Sequence, residues 1–140
     1  MLVIGVSTVF AGCSSTDKTE HIITQRIEVS DFVLEVTTST VIATGDVLNV
    51  KGTLTYMGVK PIKVTHGEPI IRFYFSGSNE ERNYMDKGYL TEFKSGQIVE
   101  VADEFIATKK GKHDLSVNID GFSSSHNGSL TMDPIEILVN

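Results

Sequence analysis

Alternation of apolar and polar residues limits what this chain can fold into more than any other feature. A clear example places three apolar side chains on one face and polar ones between them: Leu115, Val117 and Ile119. A period of two is typical of a β-strand with one face against a core and the other in water. Apolar residues at helical spacing are scarce along the chain, so the sequence predicts an all-β fold.

Eight stretches follow this pattern or are rich in β-branched residues. They are residues 22–29, 32–42, 46–56, 61–64, 70–75, 97–106, 113–120 and 130–139. Asp133-Pro134 interrupts the last stretch, because proline cannot donate a ladder hydrogen bond, and this predicts a bulge or an edge position. Glycine or asparagine marks turns near residues 44–46, 94–96, 110–112 and 127–128. The pattern predicts an antiparallel two-sheet sandwich of about seven or eight strands, with a closed barrel as the alternative.

The strand phases also predict which side chains form the core. The expected core residues are Leu54, Phe73, Val99, Phe105, Leu115, Val117 and Ile137. Gly52 shares the apolar face of its strand, where a glycine marks either a bulge or the close approach of a neighbouring sheet.

Length and charge indicate one small domain that does not bind nucleic acid. The chain has 140 residues and a net charge of -6. Its only basic cluster is Lys109, Lys110 and Lys112, beside a turn glycine and without the aromatic residues that would stack on bases. We interpret it as a solvated hairpin tip.

Cys13, the only cysteine, indicates where the protein works. It follows an apolar opening and the small residues Ala11 and Gly12, and a polar stretch comes directly after it. The run 10–13 (Phe-Ala-Gly-Cys) resembles the lipobox of bacterial lipoproteins. That resemblance implies a signal peptide over residues 1–12, lipidation of Cys13, and an extracytoplasmic domain anchored to the bacterial cell membrane. Residues 13–20 would be the tether and residues 21–140 the domain. The alternative is a buried thiol in a short apolar strand.

The order of elements in the last two-thirds resembles immunoglobulin-like domains of bacterial surface lipoproteins. The resemblance is carried by residues 54–56, 70–75, 93–96, 99–105 and 109–117. It implies an immunoglobulin-like sandwich. Domains of the intracellular proteinase inhibitor type are weakly similar, and they commonly carry a corner tyrosine where Lys112-His113 stands here.

Residues suited to catalysis or metal binding are dispersed. His66 and Glu68 would share a face in a regular strand, but no third ligand lies near them in sequence. Serines 123–125 precede His126 without a nucleophile-elbow pattern. We therefore expect no catalytic residue, no metal site and no cofactor.

Residues 76–89 form the longest stretch without strand periodicity. Loops of this length are often functional, and Tyr84, Met85 and Tyr89 combine side chains that are enriched at interfaces. The interpretation from sequence is a non-enzymatic binding module that contacts a protein partner through these three residues. A proteinase inhibitor that presents a loop to a protease is the alternative, and an enzyme ranks last.

Overall fold

A computed structural model describes residues 21–119 and 130–140, with the backbone alone of residues 85–87. Eleven strands lie within these residues, and no helix among them is long and apolar enough to cross a membrane. The strands are β1 (Ile22–Val29), β2 (Phe32–Ser39), β3 (Val41–Ile42), β4 (Val47–Tyr56), β5 (Ile62–Glu68), β6 (Arg72–Phe75), β7 (Met85–Phe93), β8 (Ile98–Ile106), β9 (Gly111–Ile119), β10 (Leu130–Thr131) and β11 (Ile135–Val139).

The strands form two main sheets and a separate two-stranded sheet. Sheet A has the order β1-β2-β4-β8. Sheet B has the order β10-β9-β11-β3, with β6 paired to β9, and β5 pairs with β7. All of the pairings are antiparallel except β11 with β3. The predicted all-β, antiparallel sandwich is confirmed.

The core lies between the sheets and matches the predicted side chains with one exception. Six of the seven predicted residues are almost completely buried: Leu54, Phe73, Phe105, Leu115, Val117 and Ile137. Val99 is only partly buried, because its strand, β8, is the edge of sheet A and leaves one flank of the side chain uncovered.

Gly52 marks a close approach of the two sheets. The β4 register continues through it without a bulge. A Cβ atom at this position would lie 2.9 Å from the Phe73 ring and 3.1 Å from Ile71, both from the facing side of the sandwich. Only a residue without a side chain fits there, which decides between the two alternatives that the sequence left open.

The structure corrects several predicted boundaries. The stretch 32–42 is two strands, because the chain leaves sheet A after Ser39 and joins sheet B at Val41. The last stretch likewise divides at Asp133-Pro134. The predicted loop 76–89 ends at Tyr84, since β7 begins at Met85. Strand β7 escaped prediction because Tyr89 and Leu90 are adjacent and both exposed, which hides its alternation.

The lysine cluster is solvated, as predicted, but it is not at a hairpin tip. Lys109 and Lys110 are exposed in the connection between β8 and β9, and Lys112 is exposed at the start of β9. Because β8 belongs to sheet A and β9 to sheet B, this connection crosses from one sheet to the other.

Candidate functional site

Residues 76–84, which we call the strap, close one side of the sandwich. The strap leaves the end of β6 in sheet B and runs to the edge of β8 in sheet A. At its end, the Tyr84 hydroxyl donates to the Phe73 carbonyl (2.7 Å) and accepts from the Phe73 N–H (3.2 Å). One side chain thus satisfies both backbone groups of a residue in β6, the outer strand of sheet B.

The middle of the strap is fixed to β8. Arg82 donates to both carboxylate oxygens of Asp103 (3.0 Å each) and to the Glu104 carbonyl (2.5 Å). Its guanidinium carbon lies 4.3 Å from the centre of the Phe105 ring. The hydrogen bond to Asp103 raises the pKa of Arg82. Glu80 accepts a hydrogen bond from the Ile106 N–H (2.9 Å). The strap therefore covers the Glu104–Ile106 part of an exposed sheet edge, a common protection against unwanted strand pairing.

The three residues predicted to bind a partner do not lie together on one loop. Tyr84 ends the strap, half-buried, with its ring edge-on to Tyr74 at 5.3 Å between centroids. Burial raises the pKa of its hydroxyl. Met85 and Tyr89 lie on β7, and Tyr89 is 42% exposed and stacked over His66 at 6.4 Å. Tyr84 therefore has a structural role within the domain through its hydrogen bonds and ring contacts, and partner binding by the three residues stays a prediction.

His66 and Glu68 do not share a face, contrary to the prediction from sequence. The β5–β7 register shifts between them, which leaves His66 buried and Glu68 exposed. His66 Nδ1 donates to the Gly67 carbonyl (2.6 Å), and Nε2 lies 2.6 Å from Thr91 Oγ1. Within residues 21–119 and 130–140, no three His, Cys, Asp or Glu side chains are grouped to hold a metal ion.

His113 occupies the place of the expected corner tyrosine and makes a similar contact. Its Nε2 donates to the carbonyl of Lys110, three residues upstream, at 3.1 Å. Its ring packs edge-on against Phe75 at 6.2 Å. An imidazole thus fixes this corner in place of a phenol. Cys13, serines 123–125 and His126 lie outside the described residues.

The β4–β5 loop, residues 57–61, is a feature that the sequence interpretation missed. The Tyr56 hydroxyl donates to the Lys60 carbonyl, and Gly58 lies directly against the Tyr56 ring. Tyr56 in turn packs on Phe32 and Phe93, with centroids 5.1 and 6.4 Å away. Above this aromatic base, Val59 is 89% exposed and Met57 60% exposed. The Met-Gly-Val-Lys-Pro run was a usable signal, because it places two apolar side chains in a turn.

Three connections meet at this end of the sandwich. The Met57 N–H donates to the carbonyl of Asp31 in the β1–β2 turn (2.6 Å), and the Gly96 N–H donates to the Tyr56 carbonyl (2.7 Å). The exposed apolar side chains here define what we call the loop end: Val29, Met57, Val59 and Ile98.

The described chain enters the domain at the opposite end. The His21 carbonyl accepts hydrogen bonds from the N–H and hydroxyl of Thr40 (2.7 and 3.0 Å), at the far end of the β1–β2 ladder from Asp31. Strand β1 then spans eight residues, about 26 Å, before it reaches the loop end. The N-terminal side of the domain and the loop end are therefore separated by the length of the sandwich.

Comparison with known proteins gives the fold. No protein-family model matches the sequence, and no curated protein matches it. The crystal structure of the CARDB domain of the PF1109 protein from Pyrococcus furiosus, in complex with di-metal ions, is similar with a TM-score of 0.51 and 13% identity. The match covers 82% of this chain and 97% of that one.

The solution structure of the same domain gives a TM-score of 0.50 and 11% identity over 81% of this chain and 97% of that one. Together with the sheet order, this similarity shows an immunoglobulin-like β-sandwich. At such identities it shows the fold alone, because one fold hosts many functions.

Proposed function

We propose that the protein is a membrane-anchored, extracytoplasmic, non-enzymatic binding module that contacts a protein partner through its loop end. The observation that carries the proposal is that two features lie at opposite ends of the sandwich. The chain enters at one end of the sandwich, where His21 bonds to Thr40, and the exposed apolar side chains of three connections gather at the other.

A lipid on Cys13 would give a functional role to the separation between the N-terminal side and the loop end. A tether of seven residues between Cys13 and His21 extends at most about 24 Å. The domain would stay near the bilayer with its N-terminal side toward the lipid. The loop end would then face away from the membrane, where a partner can reach it.

The loop end also has the chemistry of a protein-binding surface. Met57 and Val59 leave apolar area in water, and methionine is enriched at interfaces. The hydrogen bond from Tyr56 to Lys60 and the contact between Gly58 and the Tyr56 ring fix the loop before any partner arrives. Binding then loses little conformational entropy, which favours affinity. A partner with an apolar pocket fits this surface.

The test compares two substitutions of exposed valines at opposite ends of the domain. Val59→Ser changes the loop end, and Val47→Ser, near the N-terminal side, is the matched control because Val47 is also exposed. In a crosslinked pull-down from the native cells, Val59→Ser should reduce recovery of the partner at least fivefold. Val47→Ser should leave it unchanged. Equal recovery with both variants would contradict the proposal.

The same loop motivates the second candidate, a proteinase inhibitor. Inhibitory loops are exposed and braced by the scaffold, and here Met57 and Val59 are exposed while the Tyr56 hydroxyl bonds to the Lys60 carbonyl. Titration of the purified domain against serine, cysteine and metalloproteases separates the two candidates. Stoichiometric inhibition that Val59→Ser abolishes would favour the inhibitor over the general binding module.

A further inference from the structure

The β8 edge is covered along only part of its length. The Gln97 carbonyl accepts a hydrogen bond from Tyr56, and the Ala107 N–H donates to Asp46, both from the β4 side. Odd-numbered residues of this stretch therefore direct their backbone groups toward β4, and even-numbered residues direct theirs outward, since successive residues alternate. The hydrogen bonds from the strap to the Ile106 N–H and the Glu104 carbonyl agree with this assignment.

The outward groups of Ile98, Glu100 and Ala102 have no backbone partner among the described residues. We call residues 98–102 the open edge. It offers three N–H groups and three carbonyls in a row, and it adjoins the part of β8 that the strap covers. Such a row is a template for another strand.

A cleft of about 230 Å³ lies beside the open edge, between β8 and the β5–β7 sheet. Val99 and Val101 form its β8 wall, and both are only partly buried. His66 and Thr91 line the side formed by β5 and β7. Glu68 also lines it, exposed and without an ion pair among the described residues. The cleft is therefore apolar on one wall and anionic at its rim.

We propose that the open edge binds an extended segment of a partner protein by strand addition, with alternate apolar and basic side chains in that segment. Backbone hydrogen bonds to Ile98, Glu100 and Ala102 would supply affinity, and a pocket beside the edge would select the side chains. Apolar side chains cover Val99 and Val101 in the cleft. The basic ones point to the opposite face of the added strand, where they complement the exposed Glu100 carboxylate and the net charge of -6. The open edge shares Ile98 with the loop end, but it binds through backbone groups of β8 and does not depend on Met57 or Val59.

The test uses a defined probe, a fluorescently labelled peptide of alternating valine and lysine, six residues long, on the purified domain. Its fully N-methylated form is the control, because it has the same side chains and no N–H donors. Binding is measured by fluorescence polarisation, and amide hydrogen exchange locates it. We expect the exchange of the Ile98, Glu100 and Ala102 amides to slow at least tenfold with the peptide and to stay unchanged with the control.

Proline substitutions identify the edge. Ala102→Pro removes an outward N–H and leaves the β4 ladder bonds in place, so peptide affinity should fall at least tenfold. Ala102→Thr keeps the N–H, and Thr24→Pro makes the same change on β1, the other edge of sheet A. Both should bind within twofold of wild type, as should Val59→Ser. Continued protection of the Val99 and Val101 amides in Ala102→Pro shows that β8 still pairs with β4.

Three results would overturn the proposal: no binding of the peptide, equal binding of the N-methylated form, or unchanged binding by Ala102→Pro. Slowed exchange on β1 instead of β8 would also overturn it. Concentration-dependent association of the free domain that Ala102→Pro abolishes would assign the edge to a second copy of this chain.

Discussion

Removal of one hydroxyl group at Tyr84 should destabilise the domain although the residue lies at the surface. In Tyr84→Phe, the Phe73 N–H and carbonyl lose the group that satisfies both of them, at 3.2 and 2.7 Å. Phe73 is almost completely buried, but Tyr84 itself is half-exposed, so water recovers part of the loss. Unsatisfied backbone groups of this kind cost about 1–3 kcal/mol. We expect a loss of about 2 kcal/mol in the free energy of unfolding.

Urea denaturation of wild type and variant measures this loss directly. A loss of that size corresponds to roughly 6–10 °C in Tm for a domain of this length. Tyr89→Phe is the matched control, because Tyr89 is 42% exposed and no hydrogen bond of its hydroxyl is present among the described residues. Equal stability of Tyr84→Phe and wild type would refute the closing role of the strap.

The same variant has a signature in pH. Burial raises the pKa of Tyr84 above its ordinary value. The folded state therefore holds this proton more tightly than the unfolded state does. The resulting stability is complete below the ordinary tyrosine pKa of about 10 and is lost as the pH rises through the raised value. Tyr84→Phe should flatten this alkaline loss of stability, and Tyr89→Phe should not.

Three further predictions concern packing, the strap and the anchor. Gly52→Ala places a methyl group 2.9 Å from the Phe73 ring and should lower the free energy of unfolding by about 1–3 kcal/mol, measured by urea denaturation. Adding Phe73→Leu to this variant should recover part of the loss. If the two substitutions have additive costs, the close approach of the sheets is contradicted. Arg82→Lys loses the bidentate hydrogen bond to Asp103 and should lower the free energy of unfolding by about 1–2 kcal/mol. The backbone amides of β8 near Glu104 and Ile106 should then exchange with solvent faster. Unchanged exchange would show that the strap does not cover this edge. Cys13→Ser should release the protein from the membrane fraction, and wild-type fractionation, together with no added lipid mass on the native protein, would exclude lipidation.

Period-two patterning was enough to predict the fold because each sheet has one buried face. Leu54, Leu115 and Val117 were placed in the core by phase alone, and burial against the other sheet is what fixes that phase. Gly52, on the apolar face of its strand, indicated either a bulge or a close approach of the sheets, and the structure shows the close approach. Val99 shows the limit of this argument, since phase does not reveal that its strand lies at an edge.

The contacts of the site depended on tertiary geometry that sequence does not carry. Tyr84 was interpreted as a loop residue, but its hydroxyl meets Phe73 eleven positions away. His66 and Glu68 were separated by a two-residue shift of register that no local pattern signals. Val59 is exposed in a loop that is tied down by a hydrogen bond between Tyr56 and Lys60, and only the folded loop makes that bond.

The most direct measurement of the proposed function places a photo-reactive amino acid at position 59 or at position 47 of the full chain in its native cells. Activation at position 59 should attach a protein partner, and the adduct should sediment with the membrane fraction through the proposed lipid on Cys13. Activation at position 47, near the N-terminal side, should attach no such partner. A partner captured equally from both positions, or from position 47 alone, would contradict recognition through the loop end.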